Sequence, residues 1–167
     1  MSEIFTIGHS NHTTDIFLRL LKKHTIQVVV DVRSAPYSRY VPEYNKQLLQ
    51  PVLKEHGFRY LFMGDSIGGK PDNPAFHDAD GKIDYRKIAA TKKFQDGIDR
   101  LIQGLNDGWK IALLCAEEDP RNCHRQWLIA KELELTGNVT VTHIRANGLS
   151  LRAKELLEKH PVQMDLF

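Results

Sequence analysis

The sequence predicts a single α/β domain: a three-layer sandwich around a mainly parallel sheet of about five strands. Three observations carry this. Short apolar, β-branched runs alternate with segments whose apolar residues recur at helical spacing. One run, Ile26–Val32, contains three consecutive valines, the pattern of a parallel strand buried on both faces. The chain has 167 residues, 41% hydrophobic and 26% charged, which suits one soluble core and gives no reason to posit a second domain.

Ile4–Ile7 reads as the first strand, and Thr14 as the cap of a helix carrying Ile16, Phe17, Leu20 and Leu21 on one face. After Ile26–Val32, Asn45 starts a second helix with Leu48, Leu49, Val52 and Leu53, in which Pro51 marks a kink or the true first turn. His56-Gly57 ends it and Phe58–Phe62 supplies a third strand. Met63–Lys82, rich in glycine and proline, is too punctuated for a helix and long enough for a binding loop or lid. Tyr85–Leu105 reads as helix, Lys110–Leu114 as strand, Gln126–Leu135 as helix, Val139–Ile144 as a fifth strand and Ser150–Lys159 as a closing helix. The domain is expected over residues 1–160, with 161–167 as a tail.

Lysine plus arginine exceed aspartate plus glutamate by 23 − 21 = 2, so any basic patch for a nucleic acid must be local. No run approaches the ~18 apolar residues of a membrane span, and Met1–Phe5 lacks the basic and apolar regions of a signal peptide. Two cysteines do not make a disulfide scaffold. The expectation is a cytoplasmic protein with reduced thiols and no membrane partner.

Chemistry concentrates at Leu113–Arg125, where both cysteines, three acids, two arginines and a histidine follow a strand. Cys123, His124 and Arg125 are expected in the first turn of the next helix. There, unpaired N–H groups and the helix dipole favour an anion and a thiolate, lowering a cysteine pKa from about 8.5 to between roughly 3.5 and 7.5. Cys123 is therefore the candidate nucleophile or redox thiol. Ligands in parallel α/β sheets collect beyond the carboxyl ends of strands. Two further polar loops, Gly8–His12 and Asp31–Tyr40, leave strand ends, so all three are expected to face one cleft. Asp31, partly desolvated behind Val28-Val29-Val30, and Glu117 are candidate general acids or bases, with His9 as a proton shuttle. Ser10, Asn11, Arg33, Cys115, Arg121, His124 and Arg125 are the candidate substrate-binding residues, the arginines suiting phosphate. The blander alternatives are a capping role for Asp119 or Asn122, an Asp31–Arg33 ion pair and solvated arginines.

No metal and no cofactor is predicted. The eight-residue separation of Cys115 and Cys123 lacks Cys-x-x-Cys spacing, and adjacent Cys123 and His124 would rarely both reach one ion. Gly68-Gly69-Lys70 admits backbone approach to a phosphate but is not a full Walker pattern.

Thr6-Ile7-Gly8-His9-Ser10-Asn11, Asp31-Val32-Arg33-Ser34 with Pro36 and Ser38, Gly68-Gly69-Lys70, and Cys115 through Cys123-His124-Arg125 together resemble the family called domain of unknown function 488. The resemblance runs from Thr6 to about Arg145. It implies one α/β domain with a common polar cleft and names His9, Ser10, Asn11, Asp31, Arg33, Cys115, Cys123, His124 and Arg125 as motif positions without assigned roles.

The last five residues, Gln163-Met164-Asp165-Leu166-Phe167, look like the short peptide by which bacterial replication and repair proteins dock on the DNA sliding clamp. Pro161 would end the preceding helix, leaving Met164, Leu166 and Phe167 to fill apolar pockets on a partner, with Gln163 as the polar anchor. The sequence thus points to an enzyme acting on a nucleotide or nucleic-acid base, a hydrolase or transferase recruited to replication or repair. The alternatives are a non-catalytic nucleotide or nucleic-acid binding module, or a thiol-based redox protein.

Overall fold

The computed structural model describes residues 1–160, so the docking peptide expected at 163–167 lies outside the described residues. Six strands, β1 (Ser2–Gly8), β2 (Val28–Asp31), β3 (Arg59–Phe62), β4 (Ile111–Cys115), β5 (Val139–Ile144) and β6 (Ser150–Arg152), form one sheet in the order β3-β2-β4-β1-β5-β6. The first five run parallel, with Phe5 opposite Ala112, Val28 opposite Ile111 and Phe5 opposite Thr142. β6 is antiparallel to β5. Seven α-helices accompany the sheet among the described residues: α1 (Thr14–Lys23), α2 (Lys46–Glu55), α3 (Gly64–Ile67), α4 (Tyr85–Ala89), α5 (Lys92–Asn106), α6 (Lys131–Leu135) and α7 (Ala153–Lys159).

Side-chain alternation splits the core into two layers. Phe5 and Ile7 of β1 and Ala112 and Leu114 of β4 pack with Phe17 and Leu21 of α1 and Leu49 and Leu53 of α2. On the other face, Ile4, Leu113 and Cys115 meet Phe94, Ile98 and Leu101 of α5 and Leu128, Ile129 and Leu133 from the segment entering α6. Each buried leucine, isoleucine or phenylalanine among them contributes about 1.5–3 kcal/mol of transfer free energy. β4 lies between β2 and β1, so the loops leaving its carboxyl end and theirs meet at one place.

The expected α/β sandwich is present, with local differences. Thr13, not Thr14, caps α1, its hydroxyl accepting from the Ile16 N–H at 3.3 Å. The helix expected over Tyr85–Leu105 is two helices, because the Thr91 hydroxyl accepts from Phe94 N–H at 3.2 Å and starts α5 afresh. Ser150–Arg152 extends the sheet before α7 begins, where a continuous helix was expected. The punctuated stretch Met63–Lys82 does hold a short helix, α3, and a 3-10 turn at Pro74–Phe76.

Gln126–Leu135 is not one α-helix. Arg125–Ala130 is a π-helical turn whose six residues are all buried, followed by α6. The wide turn turns Gln126 into the core. Its amide oxygen accepts from His143 Nε2 at 2.6 Å, and the other ring nitrogen of His143 accepts from the Thr6 hydroxyl at 2.7 Å. This buried chain ties the π turn to β1 and β5.

Candidate active site

Beyond the carboxyl ends of β2 and β4 lies a cleft of about 490 Å³, lined by residues that include Arg33, Ser34, Gly69, Lys70, Tyr85, Cys115, Glu117, Cys123 and His124. Cys115 is the last residue of β4. Cys123 and His124 return to it because Asp119–Cys123 folds into a tight 3-10 turn, with the Asp119 carboxylate accepting from Arg121 N–H at 3.0 Å. Cys123 is extended (φ −136°, ψ 144°) and His124 helical (φ −60°, ψ −21°), so these adjacent side chains converge. Adjacent Cys123 and His124 thus do reach one point, contrary to expectation. The expected first-turn position is corrected too: Cys123 closes the 3-10 turn before the π-helical turn begins.

Both thiols are free, with the sulfurs 2.8 Å apart and Cys123 donating to Cys115. His124 Nδ1 stands 3.9 Å from Cys115 Sγ and 3.7 Å from Cys123 Sγ. Its Nε2 donates to the Val32 carbonyl at 3.1 Å, so Nδ1 carries the lone pair and faces the sulfurs. All three side chains are more than nine-tenths buried, yet each reaches the cleft wall.

The Cys123 S–H bond holds the Cys115 thiol well below its ordinary range against the opposing effect of burial; His124, whose Nδ1 lone pair can take the thiol proton, and the charge of Arg125 act in the same direction as that bond. The same bond, with burial, pushes Cys123 up. Both directions favour Cys115 over Cys123 as the more acidic thiol, the reverse of the order expected from the sequence. Burial and the nearby sulfurs raise the Tyr85 phenol to about 12, keeping it protonated at the cleft wall.

Two glycines admit this packing. A Cβ on Gly69 would lie 2.4 Å from His124 Cγ, so the glycine pair read as a phosphate signal lets the backbone lie against the imidazole. A Cβ on Gly8 would collide with the Glu117 carbonyl. Arg125, fully buried, donates to that carbonyl and to the Glu118 carbonyl at 2.7 Å, fixing the loop after β4.

Asp31, a candidate acid or base, has both carboxylate oxygens engaged. It is fully buried and does not line the cleft; Oδ1 accepts from Arg33 N and Nε (3.2 and 2.9 Å), and Oδ2 accepts from Arg33 NH2 and Tyr60 OH (2.8 and 2.6 Å). It holds Arg33, which also donates to the Tyr44 carbonyl at 2.8 Å and to His9 Nε2 at 3.2 Å. His9 donates from Nδ1 to the Ser10 carbonyl at 2.8 Å and stacks on Tyr44, its ring centroid 4.5 Å away. Burial lowers its pKa, and both ring nitrogens are engaged, Nε2 with Arg33 and Nδ1 with the Ser10 carbonyl. Ser10, Asn11 and Arg121 do not line the cleft: Ser10 turns the chain at φ 45°, Asn11 is exposed, and Arg121 pairs with Asp119 at 2.7 Å. Glu117 is exposed at the cleft. Tyr44, Tyr60 and Tyr85 also belong to this arrangement, and aromatics at helix and strand positions carry no sequence signal separating them from core.

The chain is an α/β protein whose mostly parallel sheet brings Cys115, Cys123 and His124 together at the carboxyl end of β4. The chain belongs to the family described as domain of unknown function DUF488, whose sequence profile matches residues 13–131. No curated protein and no solved structure matches it. No helix among the described residues is long and apolar enough to cross a membrane.

Proposed function

We propose that this protein is an enzyme acting on a phosphate-bearing small substrate, a nucleotide or a nucleic-acid base presented with its phosphate. The observation that carries the reading is the convergence of the Cys115 sulfur, the Cys123 thiol and the His124 lone pair on the wall of a cleft of about 490 Å³, a size that suits such a ligand. Lys70, exposed on the same cleft, supplies positive charge for the phosphate. Glu117 is the carboxylate placed to exchange a proton with the substrate, and Tyr85 offers a ring for a base. Residues 163–167 would bring the enzyme to the DNA sliding clamp.

The test is protection. Nucleotides and phosphate esters are screened for slowing alkylation of Cys115, and those that protect are assayed for turnover. Cys115→Ala is expected to keep ligand binding and lose turnover. The reading fails if no phosphate-bearing compound protects. Pull-down of a sliding clamp by the full chain, but not by one ending at residue 162, tests the recruitment. The 2.8 Å sulfur separation favours a second reading, a dithiol oxidised to a disulfide by a partner disulfide that is itself reduced to two thiols; thiol titration after exposure to oxidised glutathione decides it.

A further inference from the structure

We infer that Cys115, Cys123 and His124 form a binding site for a divalent zinc-class cation, with a fourth coordination position open to the cleft. The inference rests on the proposed reading only in taking this centre as the reacting end of the cleft.

The donor set is two sulfurs and one imidazole nitrogen, mutually within 4.8 Å. This set suits a borderline-soft ion, and three protein ligands with one vacancy is the arrangement of zinc sites that receive water or substrate. Around a tetrahedral ion, with Zn–S about 2.3 Å and Zn–N about 2.0–2.1 Å, each sulfur should lie about 3.6 Å from the nitrogen. The observed separations are 3.7 and 3.9 Å. The two sulfurs should lie about 3.8 Å apart, so from 2.8 Å they must open by about 1 Å. Rotation of the Cys123 side chain on its extended backbone supplies such a movement.

The surroundings also fit. Metal-ligating histidines commonly donate their second nitrogen to a carbonyl or carboxylate, and His124 does so to Val32. That bond selects the tautomer with a lone pair on Nδ1, the atom facing both sulfurs. The ion would replace the proton that Cys123 now donates to Cys115, releasing it to solvent.

The experiment uses the full chain, reduced and stripped with chelator, and adds Zn2+ or Co2+ alone. Expected are one equivalent of Zn2+ bound per chain, release of a proton in weakly buffered solution, and a thiolate-to-cobalt charge-transfer band with the d–d intensity of a tetrahedral centre. Cys115→Ser, Cys123→Ser and His124→Ala should each weaken Zn2+ by more than the 10–100-fold typical of outer-shell changes. Should a variant not fold, the cobalt spectrum of the unaltered chain decides alone. Absence of the charge-transfer band, or equal Zn2+ affinity in folded variants, overturns the inference. Protection of the metal-stripped chain by inorganic phosphate and nucleotides is scored separately, so failure of the metal site and failure of the substrate reading appear in different measurements.

Discussion

His124 donates its Nε2–H to the carbonyl oxygen of Val32 across 3.1 Å, and through that one bond the end of β2 sets which imidazole nitrogen faces the two cysteines at the end of β4. Replacing His124 by Asn removes the ring nitrogen beside the sulfurs. The Cys115 pKa should rise, and the rate of alkylation by iodoacetamide near neutral pH should fall. A rate–pH profile unchanged from that of the unaltered chain would remove His124 from the control of Cys115.

The two thiols are expected to behave unequally. Cys123→Ser exchanges an S–H donor for a hydroxyl and should leave a reactive Cys115, whereas Cys115→Ser should leave a Cys123 that reacts only at alkaline pH, since burial raises it as well. Mass mapping of the alkylated site over a pH series checks this. Preferential labelling of Cys123 at neutral pH would reverse the assignment.

Gly69→Ala places a methyl group 2.4–2.8 Å from three atoms of the His124 side chain. The ring or the loop must shift. We expect about 1–3 kcal/mol of destabilisation, as for overpacking elsewhere, measured by urea unfolding. Slower Cys115 alkylation should accompany it. Gly81→Ala, with nothing within 4 Å of the added carbon, should leave the thiol chemistry unchanged despite its backbone strain at φ +77°.

Asp31→Asn should be among the most damaging single changes, because it leaves the Arg33 charge buried without its partner. Breaking a buried ion pair from one side costs about 3–5 kcal/mol. Tyr60→Phe removes only the hydroxyl that donates to Asp31 Oδ2 and should cost about 1–2 kcal/mol. Similar losses for the two variants in chemical denaturation would show that the ion pair has no special weight.

Burial, aided by the charges of Arg125 and Arg145, lowers the His143 pKa from 6.5 to about 3. Between those values the unfolded chain binds a proton that the folded chain does not, so stability falls as pH falls, by up to about 1.4 kcal/mol per unit, and is unaffected by this group above 6.5. His143→Asn should lower stability at neutral pH through loss of its bonds to Thr6 and Gln126, yet flatten the dependence between pH 6 and 4. An equally steep acid limb in the variant would assign the loss to other groups.

The parallel sheet was legible in the sequence because β-branched runs and helical spacing are local signals. Three-residue β6 is too short for any period to show, and the break before α5 lay in a single hydroxyl, Thr91, that a long apolar pattern overrode. At the site, the residue types near β4 were legible and their roles were not. Which thiol ionises depends on the direction of one S–H bond, and whether Cys123 and His124 converge depends on two backbone conformations. Asp31 read equally well as catalyst or ion-pair partner, since the phenol of Tyr60 that completes its shell arrives from another strand.

The strand order has a kinetic consequence. β1 and β2 are consecutive in sequence but not neighbours, and the place between them belongs to β4, which emerges from the ribosome long after both. Pairings such as Phe5 with Ala112 bring together distant parts of the chain, the kind of contact that slows folding. The N-terminal elements must therefore wait with a strand-width gap, and a chain stalled before residue 111 exposes four unpaired strand edges in two pieces rather than the two of a finished sheet. Because Cys115 closes the strand that fills the gap, its change in reactivity during refolding or synthesis would time the moment at which the two parts of the chain join.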